Sequence, residues 1–116
     1  MDSIGFPLRG ELYLLTLDKL RPAVVVSNNI RNEAARHITV AAVRSNPKAA
    51  LIPECFTLKA SATNGLDHDS VVDCGHLFTL DKSLFNRQLG RLEPQNLRLL
   101  NQAISISLAL APYDKH

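Results

Sequence analysis

The stretch Leu20–Asn32 places the strongest local constraint on the fold. Ala23-Val24-Val25-Val26 is a continuous apolar run with three β-branched members, which reads as a buried strand. Pro22 fixes its own φ and pushes Arg21 towards extended backbone, so a guanidinium is launched from a restricted point where the run begins. Ser27, Asn28 and Asn29 end the run, because short polar side chains compete for backbone hydrogen bonds and favour turns and helix caps. A cation at one end of a stiff strand and a polar cluster at the other suit a site that handles an anion.

The chain around this stretch reads as one domain spanning residues 1–116, large enough for a modest core of its own. Apolar residues make up 46% and charged residues 21%, which excludes a disordered chain. No apolar run approaches the roughly eighteen residues that a membrane span requires, and Met1-Asp2-Ser3-Ile4-Gly5 has no basic, apolar leader. The expected location is the cytoplasm, with no membrane partner. Cys55 and Cys74 are too few and too far apart for a zinc site, so no metal is expected. The net charge of +2 is small but unevenly spread. Residues 9–48 carry seven Lys/Arg against three acidic residues, whereas residues 49–93 carry four against six. A basic N-terminal half is compatible with phosphate binding, as it is with a plain solvated face.

Leu12–Leu17 is a second apolar strand, a few residues before the first, so the two form an antiparallel hairpin with Arg21 in its loop. Asn28–Arg36 reads as a short helix capped by Ser27 or Asn28. His37–Val43 is a third strand, stopped at Arg44-Ser45-Asn46-Pro47. Ala50–Leu58 reads as an edge strand interrupted by Pro53, and Ala60–Gly65 as a loop with an Asn-Gly turn. Ser70–Cys74 and Gly75–Thr79 give one or two strands. Asp81–Asn86 is a helical turn with Leu84 and Phe85 inward, and Leu89–Leu92 is a last short strand. The long helix runs from Gln95 to Ala111 and ends at Pro112, with Leu97, Leu100, Ile104, Leu108 and Ala111 on one stripe. Leu99, Ile106 and Leu110 widen its apolar arc beyond what one small barrel needs, so part of it is expected to face a second copy of the chain. The expected fold class is mainly β with α: a small, strongly bent barrel with short helical inserts and a C-terminal helix.

Taken in order, Arg9-Gly10-Glu11-Leu12-Tyr13, Arg21-Pro22-Ala23-Val24-Val25-Val26-Ser27-Asn28 and Val40-Ala41-Ala42-Val43-Arg44-Ser45 are followed by Asp69-Ser70-Val71-Val72-Asp73-Cys74, Thr79-Leu80-Asp81-Lys82 and Leu89-Gly90-Arg91-Leu92. This series resembles the MazF/PemK/Kid family of toxins from toxin–antitoxin pairs, from about Leu8 to Ala111. The resemblance implies an SH3-like barrel of the CcdB/PemK type. It also implies a homodimer that cuts single-stranded RNA without a metal or other cofactor, by attack of the RNA's own 2′-hydroxyl. The products are a 2′,3′-cyclic phosphate and a 5′-hydroxyl. A cognate antitoxin with an acidic, disordered tail silences such enzymes by covering the RNA groove.

That chemistry sets requirements of its own. The 2′-hydroxyl must lose a proton, the leaving 5′-oxygen must gain one, and donors must meet the charge that builds on the phosphate oxygens. A guanidinium fork matches two phosphate oxygens at once. Arg21 matches the family's arginine before proline and is the expected phosphate-stabilising and proton-transferring residue. Its bland reading is a surface arginine at a strand entrance. The family carries two hydroxyl residues after the third strand; here Arg44 stands in the first place and Ser45 in the second. Ser45 is either a phosphate donor or a turn residue, and Arg44 either adds charge to the site or touches backbone phosphate. The Kid-like branch has Arg before the cysteine and Asp after it, where this chain has Asp73 and Gly75. His76 is then the alternative titrating group, since imidazole suits proton transfer near neutrality; a structural histidine beside a turn is the other reading. His37 and His68 read as strand-start and loop residues. Lys19, Asn28, Asn29 and Arg31 are candidate RNA contacts, the amides because they can read base edges, although caps and turns are the more expected role for the asparagines. Thr79 matches a family position and is expected to support the RNA site. Asp18-Lys19-Leu20 leaves little loop to close over a substrate. Two other functions share this fold: a non-catalytic RNA- or antitoxin-binding module, and a CcdB-like gyrase poison, whose C-terminal helix residues find no match here.

Overall fold

A computed structural model describes residues 5–110. In chain order it has β1 (Glu11–Thr16), β2 (Leu20–Val25), α1 (Asn29–Ala34), β3 (His37–Arg44), β4 (Cys55–Leu58), β5 (Ser70–Asp81), β6 (Gln88–Arg91) and α2 (Pro94–Ser107), with 3-10 turns at Pro47–Leu51 and Lys82–Leu84. The strands form one antiparallel sheet in the order β4-β5-β3-β2-β1-β6, curled into a half-barrel.

Strand periodicity divides the apolar residues between the two faces of this sheet. Leu12, Val24, Ala41, Val43 and Val72 pack on one face with Leu100 and Ala103 of α2. Tyr13, Leu15, Ala23, Val25, Ile38 and Val40 pack on the other, against Phe78, Leu80 and Phe85. Tyr13 meets Phe85 edge to face, with ring centroids 5.3 Å apart. Leu100 is fully buried and pins α2 to the sheet; truncating a leucine so placed costs about 2–5 kcal/mol.

Two departures from regular pairing shape the molecule. Ala41 pairs with Leu77 but Ala42 pairs with Asp73, so Cys74, Gly75 and His76 form a three-residue bulge in β5. Beyond β4, the segment after Leu58 crosses β6, where the Arg91 N–H donates to the Thr63 carbonyl at 2.9 Å. Gly65, with φ +71°, and Gly90 lie at this crossing. A Cβ on Gly65 would overlap the Leu89 carbonyl oxygen, and one on Gly90 the Thr63 carbonyl oxygen.

The structure corrects several sequence expectations and decides others that the sequence leaves open. β2 starts at Leu20, so Arg21 and Pro22 pair with Leu15 and Leu14 within the hairpin rather than lying in its loop. Of the 50–58 segment only Cys55–Leu58 is a strand. Asn46 caps a 3-10 turn before it, accepting from the Lys48 N–H, and Pro47 starts that turn. Ser70–Asp81 is one bulged strand. Leu84 is exposed, and only Phe85 turns inward. Helix α1 is capped by Asn28, whose side chain accepts from the Arg31 N–H. Helix α2 stops at Ser107, before the expected end; Ala111 and Pro112 lie outside the described residues. The stop is a Schellman turn. The Leu110 N–H donates to the Ser105 carbonyl at 2.7 Å, the Ala109 N–H to that of Ile106 at 3.1 Å, and Ala109 holds φ at 60°. Left-handed backbone crowds an alanine Cβ but not a glycine. Ala109→Gly is therefore expected to raise stability by about 1 kcal/mol, seen as a higher midpoint of urea unfolding at unchanged slope.

Candidate active site

Register builds the site. Ala23 pairs with Ala42, and Ala42 with Asp73, so these three share a face, and on that face Arg21 and Arg44 lie one pleat further along β2 and β3. The middle three strands of the sheet thus bring Arg21, Arg44 and Asp73 together, with His76 carried out from the β5 bulge.

Each arginine is held by a carboxylate. Arg21 grips Asp18 of the β1–β2 turn with both edges of a fork, Nε to Oδ1 at 2.9 Å and Nη2 to Oδ2 at 3.0 Å. Its side chain is only 12% exposed although Asp18 lies at the surface. The Arg21 hydrogen bonds hold the Asp18 carboxyl below the usual carboxylate range. Arg44 donates only Nε–H to Asp73 Oδ2, at 3.0 Å. Its Nη edge makes no side-chain bond among the described residues.

Asp73 is the hub. Its side chain is 7% exposed and receives four donors. Cys55 Sγ–H and the Gly75 N–H reach Oδ1 at 3.3 and 2.9 Å, and Arg44 Nε and His76 Nδ1 reach Oδ2 at 3.0 and 2.7 Å. Burial alone would raise this carboxyl; the four donors outweigh it and leave the pKa lowered. A carboxyl depressed in the folded state contributes stability above the ordinary carboxylate range, and loses it as pH falls through the lowered folded value. Melts between pH 3 and 7 are expected to show that acid loss. Asp73→Asn is expected to cost about 2–3 kcal/mol at neutral pH and to flatten the acid dependence. The same carboxylate, together with burial, pushes the Cys55 thiol up to about 12; burial, with Asp73 adding to it, does the same for Cys74. Neither thiol is a nucleophile near neutrality.

Arg21 and Arg44 also line a cleft of about 460 Å³ with Lys19, Ser45, His68 and Arg87. Leu14, Pro22 and Val43 form its apolar wall. By strand alternation these three point to the face opposite the Arg21, Arg44 and Asp73 side chains, so the two arginines border the cleft from the other side of their strands. Arg21, Arg44, Ser45 and Lys19 all border one cleft, and His76 is tied to Arg44 through Asp73 without lining it. The remaining candidates are elsewhere. Asn28 is consumed in capping α1, and the Asn29 carbonyl oxygen accepts from the Arg9 N–H at 2.7 Å. Arg31 is exposed on α1. Thr79 pairs with Thr39 across β3 and β5, hydroxyl to hydroxyl at 2.9 Å. The two asparagine side chains are thus taken up by backbone N–H groups, and the threonine by a cross-strand hydroxyl. Sequence reading missed Asp73, Arg87 and His68. An acid inside the apolar run Val71-Val72-Asp73-Cys74 was the available sign for the first; nothing local marks the other two. Among the described residues no group of three His, Cys, Asp or Glu side chains is placed to hold a metal ion. No helix among them is long and apolar enough to cross a membrane.

Residues 8–108 match the family described as PemK-like, MazF-like toxin of type II toxin-antitoxin system. The Endoribonuclease MazF of Staphylococcus saprophyticus is 31% identical over 116 residues, covering 93% of this chain and 96% of its own. An endoribonuclease from a mycobacterial species, solved in complex with its cognate antitoxin, matches with TM-score 0.78 and 25% identity over 90% of this chain and 97% of its own. A chain of a MazE-MazF crystal structure from Deinococcus radiodurans matches with TM-score 0.73 and 25% identity over 95% of this chain and all of its own (100%).

Proposed function

Because this chain belongs to the PemK-like, MazF-like toxins of type II toxin–antitoxin systems, we propose that it is an endoribonuclease that cuts single-stranded RNA at the Arg21–Arg44 face. The observation that carries this is that Arg21 and Arg44 fall on the same face of adjacent strands, each anchored by its own carboxylate. Anchoring matters because a donor that is already aimed need not reorganise as charge builds on the phosphate. Arg44 presents its Nη edge to one phosphate oxygen, and Arg21, with Nε and Nη2 held by Asp18, offers Nη1 to another. Ser45, exposed where β3 ends, supplies a hydroxyl donor at the cleft rim. The 2′-oxygen attacks phosphorus and the 5′-oxygen leaves, giving a 2′,3′-cyclic phosphate and a 5′-hydroxyl, with protein cations rather than a metal or other cofactor meeting the charge.

Two partners follow from this reading. An antitoxin with an acidic tail suits the Arg21–Arg44 face, since its carboxylates meet the same donors as phosphate does. A second copy of the chain suits the exposed apolar residues of the α2 end, Leu99, Leu108 and Leu110. The cytoplasm, where mRNA is found, is the proposed location.

The test is incubation of purified, antitoxin-free protein with a long single-stranded RNA in EDTA, with the fragment ends mapped. Discrete cuts ending in cyclic phosphate are expected. Tight binding with intact RNA would instead favour a binding module. The departure that bears on that second reading is Arg44, which stands where the family resemblance places a hydroxyl.

A further inference from the structure

The cleavage step needs a group that can take a proton near neutrality, and most of the site is ruled out by its own chemistry. Arg21 and Arg44 keep their protons at any physiological pH. Cys55 and Cys74 are buried and held as thiols. The β5 bulge supplies a better candidate. It carries His76 out of the ladder with its ring 58% exposed, while Nδ1 stays 2.7 Å from the buried Asp73 Oδ2. A carboxylate acceptor at Nδ1 keeps the ring proton there, which leaves the Nε2 lone pair facing outwards. Asp73 cannot turn away, because Cys55, the Gly75 N–H and Arg44 fix both of its oxygens.

We propose that His76 is the general base of the cleavage reaction, acting through Nε2, and that Asp73 positions it together with Arg44. This rests on the ribonuclease reading above. Nε2 accepts the proton of the 2′-hydroxyl as the bond from the 2′-oxygen to phosphorus forms. The bond from phosphorus to the 5′-oxygen breaks, and that oxygen takes a proton from water on the open side. The imidazolium then returns its proton to the hydroxide so left, and the step balances as a transesterification that divides one RNA chain into two. One carboxylate thereby sets the spacing between base and phosphate donor, since His76 and Arg44 meet on the same oxygen. The charged groups around the imidazole are Asp73 on its own strand, Arg44 on β3, which shares Asp73 Oδ2 with it, and Glu54 ahead of β4, whose carboxylate lies against Gly75.

The test compares wild type, His76→Gln, His76→Ala, His68→Gln and Asp73→Asn on a short RNA, with kcat and KM measured from pH 5 to 9. His76→Gln is expected to lower kcat by about 10²–10³-fold with KM little changed, and to remove the rising limb of the pH profile. Added imidazole is expected to restore part of the His76→Ala rate. Asp73→Asn is expected to lower kcat less. Should that variant fail to fold, imidazole rescue still decides the role of His76. A substrate with a sulfur leaving group at the 5′ position needs no general acid. The His76→Gln defect is expected to persist on it, and its disappearance would overturn the base assignment. Full activity in His76→Gln, or loss of the rising limb in His68→Gln instead, would overturn the proposal while leaving the ribonuclease reading intact. An inert wild-type protein would overturn both.

Discussion

Arg21→Ala is expected to reduce RNA cleavage at least about 10²–10³-fold, the usual cost of removing one preorganised donor from a site where charge develops. The side chain is the more buried partner of its ion pair and shares a face of β2 and β3 with Arg44. Asp18, left behind, is at the surface and solvated, so the fold should survive. Circular dichroism and the thermal midpoint of the variant should therefore stay near those of wild type while its cleavage rate collapses. Arg21→Lys is informative beside it. Lysine keeps the charge but loses the planar fork, so recovery of only a small part of the rate is expected. Equal rates for lysine and arginine would mean that charge alone is used and that the fork's geometry is idle.

The largest expected effect on stability is at Gly90. An added Cβ there would overlap the Thr63 carbonyl oxygen and lie 2.5 Å from the Asn64 carbonyl carbon, both backbone atoms that cannot rotate away. Asn64 is itself locked. It is buried, its amide donates to the Lys59 carbonyl, and its side-chain oxygen accepts from the Ser61 and Leu66 N–H groups. Either the loop lifts, breaking the Arg91–Thr63 hydrogen bond, or β6 slips against β1. Gly90→Ala is therefore expected to cost about 3 kcal/mol or more, read as a fall in the denaturant midpoint or as insoluble protein. A midpoint within about 0.5 kcal/mol of wild type would show that the crossing has slack.

Much of this architecture is legible in the chain. The β-branched run at Ala23–Val26 marks a central strand, and the Leu97–Leu100–Ile104 spacing marks a helix with one buried stripe, because burial on one face imposes a period that composition cannot hide. Arg21 is legible for a related reason, since Pro22 restricts the backbone that launches it. What the chain conceals is set by pairing between distant segments. Nothing local says that Asp73 lies opposite Ala42, that the next three residues bulge, or that Arg44 will find a carboxylate twenty-nine residues later in the chain. His68 and Arg87 reach the cleft only because the 59–69 segment folds over β6. The asparagines mislead in the opposite way. Asn28 and Asn29 have the chemistry to read bases, but the nearest N–H groups belong to α1 and to Arg9.

The bulge at Cys74–His76 has a consequence for how such a protein can change over generations. Residues inside a ladder are tied to partners on both sides, so altering one disturbs pairing and packing together. Gly75 and His76 stand outside that obligation, while the rungs before and after them, Asp73 with Ala42 and Leu77 with Ala41, carry the register. At His76, whose ring is exposed, the sheet therefore keeps a small sector in which a side chain can be exchanged at lower cost to folding than within the ladder, whereas a Cβ on Gly75 would crowd the Glu54 and Asp73 carboxylates. In a lineage that must keep its barrel while its targets shift, that sector is where new chemistry can be tried first.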